Sequence, residues 1–198
     1  NLLNPLYKID SWCYTESLFL TIGEIMLSVG EQFPSFTLKG INENNEFVDV
    51  EVNEGYTPLK KDWSVVYFYP KDFTFICPTE IAGMDILVDH ANVVGISGDN
   101  EFCKLAWKQD NELIGSIRHS LAADCGLGLS HQLGIVDDEN GVCYRATFIF
   151  DKDRVIQHAS INALDTGRNA QEVLRTLQGL QAGGLTGCAW NEGDEFVG

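Results

Sequence analysis

The run WSVVYFYP (63–70) is apolar almost without a break, rich in β-branched and aromatic residues, and ended by Pro70. A run of this length without polar alternation predicts a strand buried on both faces. NVVGIS (92–97) predicts a second, and YRATFIFD (144–151) and RVIQHASI (154–161) predict two more. The Asp-Lys-Asp text between the last two suits a tight turn, so an antiparallel hairpin is expected there. Helical patterning fills the intervals. DNEFCKLAWKQDNEL (99–113) opens on acidic residues and repeats apolar positions at Phe102, Leu105, Ala106 and Leu113. Ser130 reads as the N-cap of a short helix in SHQLGI. RNAQEVLRTLQGLQ (168–181) sets Val173, Leu174, Leu177 and Leu180 on one face, and AGGLTG (182–187) ends it. Strands alternating with helices and closed by a hairpin predict an α/β fold with a central mixed sheet flanked by helices. MLSVGEQFPSFTL, from Met26, reads as a domain start, so residues 1–25 are expected to be an N-terminal extension and 26–165 the body. Residues 166–198 are expected to form a C-terminal helix and arm.

Composition narrows the function classes. With 198 residues, 44% hydrophobic and 11% aromatic, the chain can bury a full core. A formal net charge of −16 argues against nucleic acid or an anionic membrane as partner. No apolar run reaches the ~18 residues that span a bilayer, and the first 25 residues lack the pattern of a signal peptide. A cytoplasmic location is the expectation. Six cysteines are too few for a disulfide scaffold, and neither a CxxC pair nor zinc-finger spacing occurs. No metal or other cofactor is expected. The four histidines (His90, His119, His131, His158) show no ligand spacing and read as surface or packing residues.

The informative cysteine is Cys77, in PKDFTFICPTE (70–80). Proline suits the first turn of a helix, because its missing N–H would be an orphan there. A helix is therefore expected to begin near Cys77-Pro78 and to continue through Glu80 and IAGMDILVD. Its free N–H groups and positive dipole end favour a thiolate over a thiol. Thr74 supplies a hydroxyl three residues earlier, able to bond the sulfur or a substrate oxygen.

The spacing Pro70, Thr74, Cys77 resembles the active-site motif of peroxiredoxins, and FYPKDFTFICPTEI resembles the alkyl hydroperoxide reductase C-type branch of the 2-Cys group. Other segments agree with it: GVCYRATFIFD with Arg145, EFCKLAWK with Trp107, ADCGLGLSHQLGI, DTGRNAQEVLRTLQGLQ and GCAWNEGDEF. The resemblance runs from about Met26 to the end. It implies a thioredoxin-like fold, a homodimer able to form a ring of dimers, and peroxide as substrate. It also implies roles: Cys77 attacks the peroxide, Arg145 stabilises the thiolate and orients the peroxide, Thr74 bonds the peroxide, and Pro70 shields the pocket. A free thiol of pKa ~8.5 is a few per cent ionised at pH 7, so full ionisation gains roughly 30-fold, about 2 kcal/mol. Further acceleration must come from contacts that strengthen in the transition state, and Arg145 and Thr74 are the candidates. Trp107 reads as ordinary core packing.

The resemblance further implies that Cys188, in the arm, resolves the Cys77 sulfenic acid as a disulfide between subunits. A thioredoxin-like or other disulfide reductase would then restore the thiols. The chain departs from the commoner pattern in one respect: most relatives place this cysteine four residues before the tryptophan, where Thr186 stands, and Cys188 lies two before Trp190. Cys13, Cys103, Cys125 and Cys143 read as packing residues. The helix carrying Cys77 looks short. A function from a different class is a holdase-type chaperone or ring-forming assembly protein. A thiol–disulfide oxidoreductase is disfavoured by the missing CxxC.

Overall fold

The computed structural model describes residues 26–53 and 61–198; the expected extension and Cys13 lie outside the described residues. Phe36–Ile41 (β1) and Phe47–Val52 (β2) pair as an antiparallel hairpin that the apolar pattern had not announced. Ser64–Phe68 (β3), buried at every position, is followed by the helix Cys77–Met84 (α1). Asn92–Ser97 (β4) leads into Glu101–Asp110 (α2), and Ser120–Ala123 (β5) into the short Gly128–Gln132 (α3). Val136–Asp137 (β6) and Val142–Cys143 (β7) make a two-stranded ribbon. Arg145–Phe150 (β8) and Ile156–Asn162 (β9) form the expected hairpin, and Ala170–Ala182 (α4) closes the body.

The main sheet runs β2-β1-β5-β4-β3-β8-β9. β3, β4 and β5 are parallel at its centre and the outer pairs are antiparallel, so the sheet is mixed as expected. Parallel neighbours need crossovers, which α1 and α2 supply. Because strand side chains alternate between faces, the sheet divides the core in two. Val66, Phe68, Ile96, Ala146, Phe148 and Phe150 pack with Phe33, Leu129 and Leu133 on one side. Val65, Tyr67 and Ile149 pack on the other, against Cys77, Ile81 and Met84 of α1, Trp107 of α2, and Val173 and Leu177 of α4. Arg145 shares the parity of Ile149, so β8 aims it at the helix that begins with Cys77. Gly95 makes room on the same side: a Cβ there would lie 2.5 Å from Tyr67 Oη and 2.9 Å from Leu121.

Two local readings are corrected. Ser130 is not an N-cap; it is buried within α3. The Asp124 carboxylate takes the capping role, accepting from the amides of Leu129 (3.1 Å) and Ser130 (2.8 Å) and from the Ser130 hydroxyl (2.7 Å). α1 is short, as expected, but it does not run through all of IAGMDILVD: it ends at Met84 and tightens into a 3₁₀ turn over Asp85–Asp89. At this junction the Asp85 carboxylate accepts from the Arg118 amide (2.6 Å) and lies 3.1 Å from His119 Nδ1. No helix among the described residues is long and apolar enough to cross a membrane.

Candidate active site

Cys77 is the first residue of α1, with Pro78 behind it, and its N-cap residue Ile76 offers no side-chain cap. The positive end of the helix therefore faces the sulfur without a competing side-chain oxygen. The thiol is fully buried. Arg145 Nη1 lies 3.3 Å from Cys77 Sγ and also donates to Glu80 Oε2. Arg145 Nε donates to the Leu164 carbonyl at 2.8 Å, which fixes the plane of the guanidinium. Glu80 sits one turn along α1 from Cys77, on the same face. Its second oxygen accepts from the Arg168 amide (3.0 Å) and Arg168 Nε (2.8 Å). Arg168 also donates to the carbonyls of Ala146 (3.0 Å) and Phe68 (2.5 Å), and lies over the Tyr67 ring, 5.1 Å from its centroid.

The arrangement is a buried charge relay with a deficit of anions. Two guanidiniums share one carboxylate, all with side chains at most 5% exposed. One positive charge is left over, beside the Cys77 sulfur. Burial opposes the charge on Arg145, yet the bond to Cys77 and the pull of Glu80 outweigh it and hold its pKa above the ordinary value. Burying an ion pair is costly unless every lone pair and proton finds a partner. Here the Leu164 carbonyl takes the Arg145 Nε proton, and the carbonyls of Ala146 and Phe68 with the Thr147 hydroxyl accept from Arg168.

The other expected site residues are placed differently. The Thr74 hydroxyl donates to the Lys71 carbonyl at 3.0 Å, and no hydrogen bond joins it to the sulfur. Its lone pairs stay available to an incoming O–H donor. Pro70 ends the run after β3 and borders a groove with Lys71, Gly98, Asp99 and Leu127. Cys188 is exposed in the arm, beyond Gly183, which caps α4 in the left-handed region at φ 68°. The arm is pinned by Trp190, only 6% exposed, which stacks on Phe196 and whose carbonyl accepts from Arg175 Nη1 at 3.1 Å. Cys77, Cys103, Cys125, Cys143 and Cys188 are all free thiols. Cys143 is a packing residue as expected: its thiol donates to the Tyr69 carbonyl (3.1 Å) and burial pushes its pKa up to about 12. Cys125 is not, since it lies exposed in the turn before α3. Trp107 is buried as expected, but it touches the loop before Cys77 through Phe73, with ring centroids 5.9 Å apart.

Two members of the charge relay escaped the sequence reading. Glu80 carried a usable signal, because i and i+3 share a helix face. Arg168 carried none: its partner Glu80 is 88 residues away, and an arginine flanking a helix start is ordinary.

The sequence profile of the AhpC/TSA family matches residues 29–159. Alkyl hydroperoxide reductase C of Mycolicibacterium smegmatis is 36% identical over 184 residues, covering 87% of this chain and 94% of that protein. The chloroplastic 2-Cys peroxiredoxin of Hordeum vulgare is 35% identical over 161 residues, covering 77% of this chain and 75% of its own. Among solved structures, reduced Plasmodium vivax 2-Cys peroxiredoxin superposes with a TM-score of 0.77 at 30% identity, over 85% of this chain and 92% of that one. Mycobacterium tuberculosis AhpC gives 0.74 at 33% identity, over 84% of this chain and 100% of that one. A fold built on the mixed sheet, a buried cysteine at a helix start held by an arginine from β8, and likeness along most of the chain converge on one assignment: the chain belongs to the AhpC/TSA family of peroxiredoxins.

Proposed function

We propose that the chain is a thiol-dependent peroxidase that reduces hydrogen peroxide and organic hydroperoxides at Cys77. The observation that carries the reading is Arg145 Nη1 at 3.3 Å from a buried sulfur at a helix N-terminus, in a cluster with one uncompensated positive charge. The Cys77 thiolate attacks the terminal peroxide oxygen. An S–O bond forms as the O–O bond breaks, the alkoxide takes a proton and leaves as alcohol or water, and a sulfenic acid remains. Arg145 stays beside the sulfur and meets the charge that moves onto the oxygens. Thr74 is the acceptor for the peroxide O–H, with its own proton committed to Lys71. Pro70 shields the entrance.

The sulfenic acid then condenses with the Cys188 thiol of a partner subunit, releasing water and forming a disulfide. A disulfide needs Cα atoms within ~7 Å, and a fully buried Cys77 cannot offer that. The first turn of α1 must unwind and the Trp190 anchor must let go. A thioredoxin-like or other disulfide reductase returns the two electrons. A homodimer and a ring of dimers fit the surface, where Phe73 and Phe75 are 55% and 97% exposed on the loop before Cys77. A cytoplasmic location agrees with the chemistry of free thiols. The holdase reading needs assembly but not Cys77. Stopped-flow peroxide consumption by wild type and Cys77→Ser separates them: turnover is expected in the first and none in the second, and equal rates would overturn the assignment.

A further inference from the structure

We infer that Lys104 is a latch on the catalytic loop: through a buried ion pair with Asp72 it holds the segment between Pro70 and Cys77 closed, and so sets how readily Cys77 is released for disulfide formation. Lys104 lies on α2 with its side chain fully buried. Its ammonium donates to Ser97 Oγ (2.6 Å), Tyr69 Oη (3.2 Å) and Asp72 Oδ1 (3.4 Å). Asp72 is also fully buried at its side chain. Its Oδ1 accepts from Ser97 Oγ at 3.0 Å, its amide donates to Asp99 Oδ2 at 2.8 Å, and its Oδ2 has no partner among the described residues. Asp72 is thus held from β4, its C-terminal flank and α2, together with the Tyr69 hydroxyl just after β3, none of which has to move when Cys77 is released.

Two features give the pair leverage. Asp72 precedes Phe73, a non-glycine residue at φ 54°. A bulky side chain in the left-handed region is strained and persists only where its surroundings enforce it. Opening the loop relieves that strain, so something must oppose opening. Opening also takes Asp72 to water and leaves the Lys104 ammonium buried without a counter-ion, bonded only to the neutral hydroxyls of Ser97 and Tyr69, which is unfavourable. The ion pair therefore opposes what the strained Phe73 favours, five residues before the reacting sulfur. In sequence Lys104 looks like a solvated helix lysine; only its burial gives it this role.

The redox consequence rests on the peroxidase reading above, but the latch itself does not. The test is amide hydrogen exchange of the reduced, full chain in wild type, Lys104→Met, Asp72→Asn and the double variant, read on peptides covering Lys71–Glu80. Asp72→Asn keeps the shape and the Ser97 bond and removes the charge, so it carries the test if Lys104→Met does not fold. Each single variant is expected to speed exchange at least tenfold in that segment, with β3 and β4 unchanged. The double variant is expected to exchange more slowly than the product of the two single effects predicts, because neither charge is then stranded. Exchange within twofold of wild type in the single variants, or an equal rise throughout the sheet, overturns the latch. Under turnover, Asp72→Asn should also lower the sulfinic fraction of Cys77 at least threefold, measured by mass spectrometry. If wild type consumes no peroxide, the peroxidase reading falls, and the exchange data still decide the latch.

Discussion

Replacing Arg145 with alanine removes the charge nearest the sulfur and leaves the fold's main packing alone. The surplus charge of the cluster falls from one to zero, because Arg168 and Glu80 then balance. A full charge pair at the observed 3.3 Å separation attracts by about 5 kcal/mol at an effective dielectric of 20. Glu80 shares the same guanidinium nitrogen and offsets part of that. A net loss of about 2–3 kcal/mol remains, in line with a hydrogen bond to a charged group, and lowers kcat/KM for peroxide roughly 30- to 160-fold. Arg145→Lys restores a charge but not the fork that binds Leu164 and Glu80 together, so it should recover only part of the loss. Alanine also strands the Leu164 carbonyl and half of the Glu80 carboxylate, which costs about 1–3 kcal/mol of stability. Circular dichroism must therefore confirm a folded variant before stopped-flow kinetics are compared. A folded Arg145→Ala within threefold of wild-type kcat/KM would refute the reasoning.

Three further outcomes are expected. Gly95→Ala forces a methyl group to within 2.5 Å of Tyr67 Oη and should destabilise by about 1–3 kcal/mol or more; an unchanged thermal midpoint would show that the sheet and Tyr67 shift freely. Burial pushes the pKa of His119 below the ordinary value despite the bond to Asp85, with Lys108 and Arg118 adding to the fall, and burial also lowers His158 against the pull of Glu172. A folded pKa below the unfolded ~6.5 means stability that is complete above that pH and lost as pH falls through the folded value, so the urea midpoint should drop from pH 7.5 to pH 5 and drop less in His119→Gln; a flat profile contradicts it. Cys188→Ser should still consume one equivalent of peroxide per subunit but form no Cys77 disulfide, as non-reducing mass spectrometry would show; a disulfide to another cysteine would reassign the resolving residue.

Much of the sheet was legible because β3, β4 and β8 announce themselves as apolar runs that no solvated helix would carry, and the Asp-Lys-Asp turn after β8 points to β9 as its hairpin partner. β5 did not, since SLAA is too short and too weakly β-branched to stand out. β1 carries a Lys-Gly pair that blurs its pattern, whereas β2 alternates strictly over Val48-Asp49-Val50-Glu51-Val52 and is a half-buried strand that the search for long apolar runs passed over. Cys77 and Arg145 could be named because a Cys-Pro helix start is a local signal and the strand around the arginine is distinctive. The cluster they belong to could not, because Glu80–Arg168 is joined across 88 residues, and the separate Asp72–Lys104 pair, joined across 32, was hidden for the same reason. Buried lysines also break the expectation that lysine marks a surface: Lys104 and Lys108 are both inside, the latter bonded to the carbonyls of Asn42 and Glu43. Ser130 misled for a similar reason, since the capping carboxylate that displaced it lies outside the motif.

If peroxide is reduced at the Cys77 sulfur, that sulfur is also the first to be oxidised. Rapid quench of the reduced protein after one equivalent of peroxide, with a dimedone-type trap for sulfenic acid and mass spectrometry of each cysteine, tests it most directly. The early adduct is expected on Cys77, giving way to a Cys77–Cys188 disulfide when the trap is omitted. An adduct distributed over Cys103, Cys125 and Cys188 with Cys77 unmodified would contradict it.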